Sequence, residues 1–321
     1  MLVAAKRIWF RRLGKGCAAL ALLGLLGVVV TAIVGHRWAE ARRAELAEGS
    51  RVVTTPLGDV EVTEHGEGAA ILVMHGTPGG YDQSAATARA MVDADDYRII
   101  AASRPGYLRT PLESGVSPAQ QADLFAALLE ELDVARVAVV GASGGGPAAL
   151  QFAQRHPDRC WALVLLAGVS NSIDEPEPPL PIRAVSAFVG TDMGGMIFSS
   201  NPAVLLGPER AEREEMVAIA QSFVPEGPRR AGVENDEAEF LHMGPVPTSA
   251  IRCPSLIVHG TDDPAVPFEQ SQALAERIGG DAELLAIEGG RHLSTLDAEA
   301  TTRIREFLAT YQADEIQQPS R

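Results

Sequence analysis

Short, largely apolar runs recur along the chain at Ile71 to Met74, Arg98 to Ala102, Val137 to Val140 and Ala162 to Ala167, each followed by a glycine-rich loop and a helical stretch. An unbroken apolar run suits a strand covered on both faces, and alternation with helices is how a parallel sheet is wound. Ser117 and Pro118 supply an N-cap and a first-turn proline for a helix over Ala119 to Leu132. Two further strands, Ser255 to His259 and Glu283 to Ile287, flank a helix over Phe268 to Ile278, and Asp297 to Tyr311 forms a last amphipathic helix. Ahead of the parallel part, Val52 to Thr55 and Val60 to Glu64 alternate in polarity around the turn Pro56-Leu57-Gly58-Asp59, which predicts an antiparallel start.

Between Asn171 and Thr248 the alternation stops. The composition shifts to Pro, Gly, Met and acidic residues, beginning with Asp174-Glu-Pro-Glu-Pro-Pro-Leu-Pro181. A structureless loop of that length does not suit a compact domain, so the segment reads as a mainly helical cap inserted between sheet strands.

From Gly16 to Gly35 no residue is charged, and a run of about twenty apolar residues is what a helix needs to cross a bilayer. Lys6, Arg7, Arg11, Arg12 and Lys15 precede it, whereas Arg37, Arg42 and Arg43 beyond it are interleaved with Glu40, Glu45 and Glu48. The positive-inside rule then puts the N-terminus in the cytoplasm and the body outside. The alternative is an exported protein cleaved near Ala39-Glu40-Ala41, although that triplet lies beyond His36, Arg37 and Trp38. The chain thus divides into a basic segment 1–15, a transmembrane anchor 16–35, a helical or flexible stalk 36–51, a core formed by 52–170 and 249–311, a cap 171–248 and a tail 312–321 expected to fray.

The formal charge is −15 and the first fifteen residues contribute +5, so the remainder carries −20. Such a body repels phosphate backbones, which excludes a nucleic-acid partner. Of three cysteines, Cys17 sits at the membrane edge, while Cys160 and Cys253 each precede a strand. Two buried free thiols are expected there, with a disulfide left open.

The sharpest chemical signal is Gly141-Ala142-Ser143-Gly144-Gly145, between the strand Val137 to Val140 and the helical stretch Pro147 to Arg155. A serine on a tight strand-to-helix turn is exposed for attack, and small neighbours give the backbone room to make that turn. Its hydroxyl needs a base. His292 follows the strand Glu283 to Ile287 on a loop, whereas His36, His65, His156 and His242 read as structural or surface residues. The base needs a carboxylate, and Asp263, Asp262 and Asp174 all qualify by position. The order Ser143, Asp263, His292 matches nucleophile, acid and base in a known hydrolase arrangement. Oxyanion donors are expected at the N–H of Gly144 and, in the turn His75-Gly76-Thr77-Pro78-Gly79-Gly80, at the N–H of Thr77, since Pro78 has none. No zinc-ligand spacing occurs, and neither metal nor cofactor is expected.

Together these segments resemble the α/β-hydrolase family over Val52 to Tyr311. His75-Gly76 is similar to its oxyanion turn, Ser103-Arg104-Pro105-Gly106-Tyr107 to its loop after the next parallel strand, and Gly141 to Gly145 to its nucleophile elbow. His259-Gly260-Thr261-Asp262-Asp263 with Val266-Pro267 is similar to the family's acid segment, and that match selects Asp263 over Asp262. The resemblance implies an α/β-hydrolase fold that hydrolyses a carboxylic ester or amide of a small molecule. The serine at the elbow sets it apart from dehalogenases and epoxide hydrolases, which use aspartate. His-Gly-Thr-Pro-Gly-Gly also resembles the turn of prolyl iminopeptidases, which would need a cap carboxylate from among Glu212, Glu214, Glu215, Glu234, Asp236, Glu237 and Glu239. A third reading is a non-catalytic small-molecule receptor on the same fold.

Overall fold

The computed structural model describes residues 2–93, 95–173, 180–278 and 282–317. Eight strands form one sheet: β1 (Arg51–Thr55), β2 (Gly58–His65), β3 (Ala69–Met74), β4 (Tyr97–Ala102), β5 (Val137–Ala142), β6 (Cys160–Leu166), β7 (Ser255–Gly260) and β8 (Ala282–Ile287). Their order is β1-β2-β4-β3-β5-β6-β7-β8, antiparallel at β1·β2 and β2·β4 and parallel from there on. The antiparallel entry and the parallel body stand where the two residue patterns put them.

The apolar runs are continuous because both sheet faces are covered. Along β3, Leu72 and Met74 enter one core and Ile71 and Val73 the other. The first core is closed by helices α3 (Pro118–Glu131) and α4 (Gly146–Arg155), and the second by α2 (Tyr81–Met91) and the C-terminal helix. Helix α3 begins as its sequence requires: Ser117 Oγ accepts from the N–H of Gln120 and Gln120 Oε1 accepts from the N–H of Ser117, a reciprocal cap ahead of Pro118.

Between β6 and β7 lie α5 (Leu180–Val189), α6 (Asp192–Ser199), α7 (Ala203–Leu206), α8 (Glu214–Gln221) and α9 (Arg230–His242), so the insertion is helical among the described residues. The acidic run from Asp174 to Pro179 lies outside them. Helix α10 (Phe268–Ile278) precedes β8, and the C-terminal helix, α11 (Ala298–Gln317), runs six residues beyond Tyr311. It continues because Gln312 to Gln317 holds neither glycine nor proline, and the first proline is Pro319.

The N-terminal helix, α1 (Leu2–Glu48), has its residues 22–34 exposed. It is the one helix among the described residues that is long and apolar enough to cross a membrane. From Gly35 onward it is helical and docked, not free-standing. Ala39 and Leu46 are buried, and Tyr81 Oη donates to the carbonyl of Leu46 at 2.7 Å. Cys160 and Cys253 are free thiols in contact, Sγ to Sγ 3.2 Å, and burial pushes the Cys160 thiol well above its ordinary pKa.

Candidate active site

Ser143 follows β5 at φ 47°, a left-handed backbone that non-glycine residues rarely adopt and that turns the chain into α4. The turn is possible because its flank has no side chain: a Cβ on Gly145 would lie 2.3 Å from the carbonyl oxygen of Met74. Its other wall is the loop after β3, where a Cβ on Gly76 would lie 3.0 Å from Ser143 Cβ.

His292 opens a short helix after β8, and its Nδ1 lies 2.7 Å from Asp263 Oδ2. A carboxylate accepts, so Nδ1 carries the proton and Nε2 keeps its lone pair. The loops that carry the two residues are tied to each other. The N–H of Asp262 donates to the carbonyl of Gly290 at 2.9 Å, and the N–H of Gly289 to Thr261 Oγ1 at 2.8 Å. Asp262 itself is exposed, and Asp174 lies outside the described residues.

The Asp263 side chain is fully buried and held by three donors. Oδ1 accepts from the N–H groups of Ala265 and Val266 and Oδ2 from His292, while His259 Nε2, bonded to the carbonyl of Val266 at 3.0 Å, lies 3.1 Å from Oδ2. Burial pushes its carboxyl up, but the contacts with His259 and His292 and the hydrogen bond from the N–H of Ala265 outweigh burial and hold it well below the carboxylate range. His259 is fixed in turn by Ser271 Oγ at 2.6 Å. In the sequence His259 stands only as part of the segment that carries Asp263, because a histidine near the end of a buried strand reads as core.

A depressed carboxyl stabilises the fold above the ordinary aspartate pKa of ~3.9 and ceases to do so as pH falls toward its lower folded value. Asp263→Asn should therefore be less stable than the native chain at neutral pH, with the gap in thermal midpoint narrowing below about pH 4. A gap independent of pH would contradict the depressed value.

Thr77 and Gly144 face each other beside the serine: a Cβ on Gly144 would lie 2.3 Å from Thr77 Oγ1. The N–H of Thr77 has no acceptor among the described residues. The hydroxyl of Thr77 donates to Asp236 on α9, whose carboxylate also accepts from both terminal nitrogens of Arg104 and from Tyr107 Oη. Arg104, Asp236 and Tyr107 are all buried. Arg104 further binds the carbonyl of His75 through Nε, and its N–H donates to His75 Nε2, both at 2.9 Å. Burial and then the Arg104 charge hold His75 well below its usual pKa, so it is neutral. A second pair crosses the same boundary in the opposite sense: Arg229 of the insertion, fully buried, binds Asp82 of the core and the carbonyl of Gly79. The sequence left Asp236 among seven equivalent acids, and its partner becomes visible only once α9 is placed.

Ser143, His292, Thr77 and Gly76 line one cavity, whose remaining wall is mostly apolar, from Leu166, Ile219, Phe223 and Leu296. No carboxylate lines it among the described residues.

Residues 69–186 match the profile of the alpha/beta hydrolase fold family, and residues 236–319 that of the TAP-like proteins. An alpha/beta hydrolase fold protein from Nakamurella multipartita is 32% identical over 83% of this chain and 99% of its own, with a TM-score of 0.69. The chain belongs to the α/β-hydrolase family of enzymes. Among sequences, the hydrolase is 37% identical to an uncharacterized hydrolase of Bacillus subtilis over 37% of this chain, and 29% identical to a poly(3-hydroxyalkanoate) depolymerase of Ectopseudomonas oleovorans over 57% of it. These matches span 41% and 64% of the two relatives' lengths.

Proposed function

We propose that this hydrolase is a membrane-anchored serine esterase that works through an acyl-enzyme on Ser143. The observation that carries the reading is the left-handed Ser143 on one cavity with a His292–Asp263 pair whose tautomer is fixed. In the proposed mechanism, Ser143 Oγ attacks the ester carbonyl while His292 Nε2 takes its proton, and Asp263 stabilises the imidazolium. The oxyanion forms between the N–H groups of Thr77 and Gly144, each such donor contributing about 2.7–4 kcal/mol to the transition state. His292 returns the proton to the leaving alcohol, then takes one from the water that cleaves the acyl-enzyme.

An ester is favoured over the terminal amide of an aminopeptidase because the cavity offers an amine no counter-charge among the described residues, and Asp236 is already paired with Arg104. The relative named as a polyester depolymerase points the same way. Short p-nitrophenyl esters should be turned over where a fluorogenic proline amide is not, and the reverse order would move the reading to an iminopeptidase. Absence of fluorophosphonate labelling at Ser143 would favour a non-catalytic receptor.

The membrane anchor is part of the proposal, with the N-terminus cytoplasmic and the body outside. Supporting it over a cleaved signal, Ala39 and Leu46 are buried against the body, so a cut near Ala41 would sever a docked helix. An N-terminal epitope tag should remain on the mature protein in the membrane fraction; its loss would indicate cleavage.

A further inference from the structure

Helix α1 first meets the body at Gly35, the last residue of its apolar run, where a Cβ would lie 2.7 Å from the backbone of Met193 at the start of α6. Within the next two turns His36 and Arg43 reach Asp192, at 3.2 and 3.4 Å. The helix is unbroken to Glu48 and buries Ala39 and Leu46, so the body is held at a fixed level relative to that run. The corner between α5 and α6, residues 190–191, therefore sits where the apolar segment ends.

Helix α5 is apolar yet exposed along most of its length, with Leu180 79%, Val185 62% and Phe188 42% exposed. Ile197 on α6 and Val204 and Leu205 on α7 are exposed as well. Arg183 and Ser186 are the only polar residues of α5, and a cluster of large exposed apolar side chains on so apolar a helix marks a contact. We propose that α5, with the exposed apolar residues of α6 and α7, lies in the headgroup and upper acyl region of the same bilayer that α1 crosses.

This rests on the anchor reading above, because a bilayer around residues 16–35 necessarily borders the α5–α6 corner. That adjacency selects a lipid surface over a protein partner. The body beyond the basic segment carries −20, so the contact is driven by apolar burial and not by attraction to anionic lipid. Interfacial helices of this kind sit roughly 5–10 Å into the headgroup and acyl boundary.

The test uses the full chain in phosphatidylcholine vesicles, on a Cys17→Ser background that leaves only the buried Cys160 and Cys253. Single cysteines replace Val185, Gly24 or Glu299, each carrying an environment-sensitive fluorophore, with quenching read from brominated phosphatidylcholines. The label at 24 reports the anchor, where an added Cβ meets nothing, and the label at 299 reports a distant exposed site. The expected result is quenching at 185 that is stronger with bromines high on the acyl chains, the reverse order at 24, no quenching at 299, and no change at 185 when salt is raised. Quenching at 24 without quenching at 185 overturns the inference and leaves the anchor standing. No quenching at 24 overturns both. Fluorophosphonate labelling of the same samples tests the Ser143 reading independently.

Discussion

Ser143→Ala should lower hydrolysis of a small activated ester by roughly a millionfold, the scale on which loss of a serine nucleophile removes covalent catalysis as a whole. Without the hydroxyl no acyl-enzyme forms, and only oxyanion stabilisation and substrate binding remain to act on a direct attack by water. The fold should be unaffected. Alanine keeps the Cβ and the left-handed backbone, and changes of this size away from packing defects stay within about 0.5 kcal/mol. Initial rates would be compared at equal folded concentration, with the thermal midpoint as the control for folding. Residual turnover above about one part in a thousand in pure variant would exceed what the remaining groups can supply and would remove Ser143 from the role.

Asp236→Ala should be the most damaging change to stability. The substitution leaves the Arg104 guanidinium buried with its charge uncompensated, and an arginine cannot escape by releasing a proton. Breaking a buried pair in this way costs about 3–5 kcal/mol, and Tyr107 Oη and Thr77 Oγ1 lose their shared acceptor as well. For a body of this size the thermal midpoint should fall by roughly 6–20 °C. The double variant Arg104→Met with Asp236→Leu should recover most of that loss, because an apolar pair of similar volume avoids desolvating two charges. Denaturant melts in detergent of the native chain, Arg104→Met, Asp236→Leu and the double variant give the coupling energy. A single-variant cost below about 1 kcal/mol would mean that the pair is solvated in solution.

The placement of the candidate site residues was legible where it depends on strand ends. Asp263 follows the buried strand β7 and His292 the half-exposed edge strand β8, and a parallel sheet brings the ends of neighbouring strands together. What stayed hidden depends on pairing across long separations. A separation of 132 residues between Arg104 and Asp236 carries no local signal, and His259 reaches Asp263 only because a tight turn folds the chain back over four residues. The docking of the segment after Gly35 was within reach of the sequence. Ala39 and Leu46 are two turns apart on one helix face amid charged neighbours, a spacing that marks a seam.

The two crossed arginine–aspartate pairs also bear on the order in which the chain is made. Synthesis delivers Arg104 well before its carboxylate, so a nascent core must keep that guanidinium hydrated until α9 has left the ribosome. Asp82 is less exposed to this delay, because Arg42 of α1 already lies 3.9 Å away. Loop closure across 132 residues has to precede the gain from the Arg104 pair. Fixing of the turn that carries Thr77 then waits for α9, and a chain stalled before residue 236 would hold Ser143 beside a Thr77 whose hydroxyl still lacks its acceptor.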